Sequence, residues 1–169
     1  MEPTEYLAFL PLLFYGIALA ELIGQWRRYF DRAQLYLPYF ITTIVFTEAA
    51  IWNVYRYLEV VSNLEGVRYY QYLLFLVQPM VFLLMVSALT PEPDNPDTEG
   101  YFKQRISVVF GLMAAFILSH LFAGLGATVS VDIPRFAAIA LCMAIAITRK
   151  IWLVYVMAAL WPVSLYTRL

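Results

Sequence analysis

Strongly apolar runs of about 15 to 20 residues recur along this chain, separated by short stretches that carry most of its charges. A helix needs about 20 mostly apolar residues to cross the hydrocarbon core of a bilayer, which is about 30 Å thick. Such a succession of runs is typical of a protein that crosses the bilayer several times. We therefore expect residues 1–169 to form a single all-α transmembrane domain, a six-helix bundle.

The last two apolar runs are shorter than the first four and are separated only by Arg149 and Lys150. If the two runs formed one long helix, both charges would lie deep in the hydrocarbon, which is costly. A hairpin with the charges at its tip is favoured, although the tip lacks the glycine or proline that tight turns usually contain. Thr90 to Arg105, with three prolines, is expected to be an exposed linker. The expected spans are Leu7–Gln25, Tyr36–Tyr57, Tyr70–Leu89, Ile106–Leu125, Pro134–Thr148 and Ile151–Tyr166.

The composition excludes several classes of protein. Hydrophobic residues make up 63% of the chain and charged residues 14%, whereas globular domains carry about 25% charged residues. The net charge of -1 provides no basic surface for nucleic acid. The single cysteine, Cys142, permits neither a disulfide framework nor a thiolate metal cage. The bilayer is the partner that this composition indicates.

Six spans would place both termini on one side of the membrane, and the positive residues indicate which side. Loops after the first, third and fifth spans contain seven of the eleven lysines and arginines. Positive loops favour the cytoplasm, so we expect both termini on the non-cytoplasmic side of a bacterial inner membrane. The seven positive residues are Arg27, Arg28, Arg32, Lys103, Arg105, Arg149 and Lys150.

Small residues recur at intervals of four on two spans. Lipid tails are as apolar as leucine, so membrane helices associate where small side chains let their backbones approach. We expect these stripes to be helix contact faces. Two alternatives stay open: one of the faces joins two copies of the chain, or the small residues reflect only their general abundance in membrane helices. The stripes are Gly16, Ala20 and Gly24 on the first span, and Gly111, Ala115 and Ser119 on the fourth.

Glu48 lies about twelve residues into the second span, near its middle. An ionised carboxylate at that depth is costly, so the side chain is expected to be neutral, paired or facing a hydrated cavity. Such a residue is a functional hypothesis by default. We expect a buried, protonated carboxylic acid bonded to polar groups on the third and fourth spans. A structural role, a proton- or cation-linked role and contact with a lipid or quinone headgroup all remain open.

The expected partners of Glu48 are Gln78 on the third span and His120, the only histidine, on the fourth. Asn53 and Tyr55 on the second span complete this candidate transport or polar site. Gln78 also has a purely structural interpretation, as a hydrogen bond across helices. His120 has one too, as a neutral histidine bonded to a backbone carbonyl, beside the interpretation in which it titrates together with Glu48.

A polar row follows the end of the first span near the expected cytoplasmic border. Glu21, Gln25 and Arg28 are spaced four and three residues apart and share one helix face. We interpret them as a helix-end network in which Arg28 reaches towards the interface.

The sequence supports no enzymatic chemistry and predicts no cofactor or metal. One histidine is too few for bis-histidine haem or a histidine-ligated copper or di-iron centre. Both lysines lie at span borders, which disfavours a retinal Schiff base. The chain also contains no glycine-rich phosphate loop, HExxH pair or GxSxG elbow.

Three functional hypotheses remain, and none of them is an enzyme. The first is a small channel or transporter, expected to be oligomeric, whose site around Glu48 responds to protons or cations. The second is a non-catalytic accessory or assembly subunit of a larger membrane complex, which fits short loops and absent motifs. The third is a membrane sensor, which is disfavoured because no output domain is attached.

Overall fold

The computed structural model describes the backbone of residues 3–61, 69–92, 96–123 and 129–166, and the side chains of residues 9–56, 69–92, 96–120 and 133–162. Helices make up nearly all of this part of the chain, in which no β-strand occurs. The prediction of an all-α fold with six helices is confirmed. The helices are α1 (Pro3–Gln25), α2 (Leu37–Val61), α3 (Tyr69–Leu89), α4 (Thr98–Ala123), α5 (Val129–Thr148) and α6 (Ile151–Tyr166), and a 3-10 helix (Trp26–Phe30) follows α1.

Among the residues whose side chains are described, four helical segments are long and apolar enough to cross a membrane: Phe9–Phe30, Leu37–Arg56, Tyr69–Leu89 and Thr98–His120. The whole of α5 has 20 residues and α6 has 16. At 1.5 Å per residue these helices are about 30 Å and 24 Å long. The lengths and apolar character of the helices are those of a membrane protein.

The polar start of α4 replaces the second half of the expected linker. Asp97 caps the helix, because its Oδ1 accepts a hydrogen bond of 2.8 Å from the backbone N–H of Gly100. A Cβ atom at Gly100 would overlap the carboxylate of Asp97, which would have to shift to make room for a larger residue. Glu99 and Lys103 then pair across one turn at 2.5 Å. The helix therefore begins well before Ile106, where the apolar run starts.

The α5–α6 hairpin turns through only two residues, as the charge argument predicted. Arg149 has a φ of 55°, the left-handed conformation that glycine usually adopts. The N–H of Leu153 donates to the carbonyl of Lys150 at 3.1 Å, which starts α6 at once. Both charged side chains are exposed at the tip. A strained arginine thus reverses the chain where the sequence offers neither glycine nor proline.

The six helices form two rows of three. One row has the order α1, α2, α6 and the other the order α3, α4, α5. Facing helices pack as α1 with α3, α2 with α4, and α6 with α5. Neighbouring helices α4 and α5 are joined by a hydrogen bond in which the Ser107 hydroxyl donates to the Ala146 carbonyl at 2.6 Å.

Four buried aromatic rings join α1, α2, α3 and α4 in the core, and we call them the aromatic layer: Tyr15, Phe46, Phe82 and Phe116. Phe82 is the central member. Its ring centroid lies 5.3 Å from Tyr15, 6.5 Å from Phe46 and 5.1 Å from Phe116. All three pairs are tilted, with interplanar angles of 50°, 53° and 54°, and aromatic rings at such separations attract each other. The layer fills the space between the four helices.

Candidate functional site

Three polar side chains from three helices, two amides and one imidazole, meet next to the aromatic layer. They are Asn53 on α2, Gln78 on α3 and His120 on α4, and we call them the polar cluster. Gln78 Nε2 lies 2.8 Å from Asn53 Oδ1 and 2.6 Å from His120 Nε2. His120 Nε2 lies 3.0 Å from Asn53 Oδ1. Three of the five residues of the predicted polar site therefore come together.

The backbone fixes the orientation of two members of the cluster. Asn53 Nδ2 donates to the Ala49 carbonyl at 2.7 Å, so Oδ1 must point into the cluster. His120 Nδ1 lies 2.9 Å from the Phe116 carbonyl. A carbonyl oxygen can only accept, which assigns the proton of a neutral His120 to Nδ1. Its Nε2 then presents a lone pair to the other two side chains.

The Gln78 amide nitrogen connects the two fixed acceptors. It has two hydrogens, one for Asn53 Oδ1 and one for His120 Nε2. When His120 is neutral with its proton on Nδ1, Asn53 Oδ1 and His120 Nε2 are both acceptors and lie only 3.0 Å apart, where their lone pairs repel each other. The Gln78 NH₂ group offsets this repulsion and joins α3 to α2 and α4 through a single atom.

Glu48 lies apart from the polar cluster. Its Oε2 accepts a hydrogen bond of 2.5 Å from the indole Nε1 of Trp161 on α6. Asn53 is five positions after Glu48, which turns the two side chains about 140° apart on α2. Glu48 was expected to bond to Gln78 and His120. In the structure it bonds to Trp161 instead and so joins α2 to α6.

Tyr55 also lies away from the polar cluster. Its side chain is 58% exposed. Its ring contacts Trp52 on the same helix, with centroids 6.1 Å apart. Amphipathic aromatic rings of this kind suit the interface between bilayer and water.

Arg28 is buried, with only 2% of its surface exposed, and does not reach out to the interface as expected. Its Nε donates to Gln25 Oε1 at 2.8 Å, its Nη1 to Gln34 Oε1 at 3.2 Å and its Nη2 to the Glu92 carbonyl at 2.7 Å. Gln25 Oε1 also accepts a hydrogen bond of 3.4 Å from the Tyr39 hydroxyl. We call this set the arginine clamp, because it ties the end of α1 to the segments that follow α1 and α3.

Glu21, the first residue of the predicted polar row, is bonded to α3 and not to Arg28 in the described contacts. Its Oε2 accepts a hydrogen bond of 3.3 Å from the hydroxyl of Ser87. The row is thus divided, with Gln25 and Arg28 in the arginine clamp and Glu21 holding α1 against α3.

The small-residue stripes lie mostly on the outer faces of their helices. Gly16, Ala20, Gly24 and Ala115 are exposed, while Gly111 and Ser119 are half-buried. A Cβ atom placed on any of the three glycines would have no other atom within 4 Å. These glycines therefore make no close helix contact within the described chain. Contact between two copies remains a prediction.

Two features of the site were not anticipated from the sequence. The first is Trp161 as the partner of Glu48. A sequence signal for it existed, because the indole N–H of a tryptophan within an apolar run usually finds a hydrogen-bond acceptor. The second is the buried stripe Thr42, Phe46, Ala49 and Asn53 on α2. Its spacing of three to four residues marks the inward face, and Glu48 lies outside it. No group of three histidine, cysteine, aspartate or glutamate side chains that could hold a metal ion occurs among the described residues.

The fold and the site define a class: an all-helical chain with several apolar helices of membrane-spanning length, in which two amides and one imidazole from three helices form a hydrogen-bonded cluster. Comparison with protein-family models, with curated proteins and with solved structures gives no match for this chain.

Proposed function

We propose that this protein is a small multi-pass channel or transporter whose proton-responsive site is the polar cluster. The observation that carries the proposal is the contact of His120 with two neutral amides from neighbouring helices, at 2.6 Å and 3.0 Å. Histidine is the side chain whose ordinary pKa lies closest to neutral pH, so it can gain and lose a proton under physiological conditions. Ionisable groups in membrane helices commonly mark ion or proton pathways.

The proposal assigns different roles to the two regions that the sequence argument had combined. His120 is the proton-binding group, and Asn53 and Gln78 are its hydrogen-bonding partners. Glu48 positions α6 through Trp161 and is not the responsive group. Substitution of Glu48 by glutamine keeps the shape of the side chain and is therefore a matched control for substitution at His120.

The aromatic layer bears on how such a site would work. Tyr15, Phe46, Phe82 and Phe116 are all buried, and His120 contacts the layer through Phe116, with ring centroids 4.7 Å apart. Hydrophobic constrictions can gate a pathway by excluding water. We therefore propose that the conformation described here is closed and that a permeating ion requires movement of this layer.

All six helices are proposed to span a bacterial inner membrane, with both termini on the non-cytoplasmic side. The support is the concentration of positive residues at the end that contains the arginine clamp and the α5–α6 tip. Replacement of Lys150 by cysteine tests the orientation. A membrane-impermeant thiol reagent should leave this position unlabelled in intact cells and label it after permeabilisation. Labelling in intact cells would reverse the orientation.

The transport proposal is tested in liposomes that contain the purified full-length protein. Ion and proton flux should depend on pH in the wild type, and His120→Asn should abolish that dependence. Glu48→Gln should keep the dependence, because its hydrogen bond to Trp161 can still form. A flux equal to that of protein-free liposomes at every pH would remove the proposal.

The accessory-subunit hypothesis is supported by the outer face of α1, where Gly16, Ala20 and Gly24 leave room for another backbone. A partner helix could approach closely at such a stripe. Extraction with a mild detergent should then recover one constant partner protein, and Gly16→Ile should abolish its recovery. Elution of the wild type as a monomer or homo-oligomer would exclude this role.

A further inference from the structure

The polar cluster contains a hydrogen-bond arrangement that holds in only one protonation state of His120. When the ring is neutral with its proton on Nδ1, the Gln78 amide nitrogen can donate to both Asn53 Oδ1 and His120 Nε2. When a proton from water adds to the lone pair of His120 Nε2, that nitrogen becomes a donor. It then faces the Gln78 amide nitrogen at 2.6 Å, so two donors are in contact.

Gln78 is the member of the cluster that must respond. Asn53 is held by the Ala49 carbonyl at 2.7 Å and His120 by the Phe116 carbonyl at 2.9 Å. Protonated Nε2 can donate directly to Asn53 Oδ1, which already lies 3.0 Å away. The Gln78 amide must therefore turn its nitrogen away from both partners. Rotation that brings Oε1 in its place would set two carbonyl oxygens against each other, which favours withdrawal of the side chain.

Proline follows Gln78 directly and makes α3 deformable at this point. Pro79 has no backbone N–H, so the carbonyl of Phe75 lacks its normal helical partner. Prolines are a common cause of kinks in helices. The Phe75 carbonyl lies about one turn before Gln78 on the same helix. It can accept a hydrogen bond from the Gln78 amide once that amide no longer bonds to His120. Loss of the Gln78 contact can thus be followed by a change in the bend of α3.

We infer that Gln78 is a proton-dependent latch: it ties α3 to α2 and α4 while His120 is neutral and releases α3 when His120 is protonated. This inference rests on the proposed proton-responsive site and specifies how protonation changes the packing of the helices. It adds a role for α3, the helix that also carries Phe82 of the aromatic layer. Release of the latch would therefore act on the layer that closes the bundle.

Other ionisable groups on the neighbouring helices can influence the protonation of His120. Glu48 is bonded to Trp161, and its substitution by glutamine serves as the control. The ionisable side chains on neighbouring helices are Glu48, Tyr55 and Arg56 on α2, Tyr69, Tyr70 and Tyr72 on α3, and Arg135 on α5. Glu59, Glu65, Arg68 and Asp132 have side chains outside the described residues.

Nuclear magnetic resonance of the full-length protein in lipid nanodiscs tests the inference directly. His120 is the only histidine, so labelling histidine with ¹⁵N gives one ring to follow. At high pH we expect a proton on Nδ1 and none on Nε2. Labelled glutamine side chains report Gln78, whose signal is assigned by its loss in Gln78→Met. We expect this signal to change over the same pH range in which His120 becomes protonated.

Two variants separate the latch from general pH effects. The pH-dependent change of the Gln78 signal should disappear in His120→Asn and persist in Glu48→Gln. A constant Gln78 signal while His120 gains its proton would overturn the latch. So would a neutral ring with its proton on Nε2, or a ring that stays neutral at every pH at which the protein remains folded.

The latch and the proposed function can fail separately. If the Gln78 signal follows His120 but liposomes show no flux, the latch holds and transport is wrong. If flux depends on pH through His120 while the Gln78 signal stays constant, transport holds and the latch is wrong.

Discussion

The arginine clamp and the polar cluster both bury polar groups among helices, but they do so with opposite balance. In the clamp, a guanidinium that cannot lose its proton meets oxygen atoms, all of which accept. In the polar cluster with a neutral His120, one amide nitrogen donates to two acceptors that would otherwise repel each other. Matched donors and acceptors hold one arrangement at every pH. A cluster that depends on one shared donor is stable in one protonation state only. The arginine clamp is therefore a permanent fastening between segments, whereas the polar cluster can act as a pH-dependent switch.

The largest expected effect in this comparison is at Arg28. Arg28→Met should lower the free energy of unfolding by about 3 kcal/mol, because hydrogen bonds to a charged group contribute about 1.5–3 kcal/mol and their acceptors would stay buried. The neighbouring Arg27 is exposed, so Arg27→Met should change it by less than about 0.5 kcal/mol. Denaturant titration in detergent micelles measures both. Equal effects of the two substitutions would show that the hydrogen bonds of the clamp do not stabilise the fold.

The next effect is at the polar cluster. Gln78→Leu leaves two acceptors 3.0 Å apart without their shared donor, and we expect a loss of about 1.5 kcal/mol near pH 8. Acidification should reduce this loss, since protonated His120 can donate to Asn53 directly. The exposed Gln104 on α4 provides the control, because Gln104→Leu should have little effect at either pH. A loss for Gln78→Leu that is the same at both pH values would make this cluster a fastening like the clamp.

A smaller effect is expected between Glu48 and Trp161. A double-mutant cycle with Glu48→Leu and Trp161→Phe should give a coupling energy of about 1 kcal/mol, typical of one hydrogen bond between contacting residues. The same cycle between Glu48→Leu and Gln78→Leu should give a coupling near zero. A large coupling in the second cycle would rejoin Glu48 to the polar cluster, as the sequence had suggested.

The smallest effect is expected at the α5–α6 tip. Arg149 adopts a φ of 55°, which glycine tolerates and alanine does not. Arg149→Gly should therefore be more stable than Arg149→Ala by about 0.5–1 kcal/mol. Both substitutions remove the same charge, so their difference isolates the backbone. Thermal unfolding of the two variants measures it, and equal stabilities would indicate that the turn relaxes when the arginine is absent.

The apolar runs and the charges between them were enough to predict six helices and the hairpin at Arg149 and Lys150. This succeeds because helix length in a bilayer is set by its thickness and charges are excluded from its interior. The start of α4 was missed for the converse reason. Thr98 to Arg105 lies in a polar stretch, and its helical state depends on the Asp97 cap and on packing of the buried Phe102.

The candidate site was only partly predictable. Gln78, His120 and Asn53 stood out as polar residues in apolar runs, and the structure brings them together. Glu48 was placed with them because a carboxylate is costly to bury and needs a polar partner. That cost does not indicate towards which neighbouring helix the side chain points. A side chain five residues from Asn53 points to another helix, and the packing of α6 against α2 provided its partner.

The sequence by itself determined that this chain is helical, how many helices it forms and which polar residues lie within them, since these follow from local hydrophobicity and length. Only the tertiary structure decided which polar groups meet. That choice depends on how each helix is rotated about its axis and on which neighbours it packs against, and both are set by contacts between residues far apart in the chain.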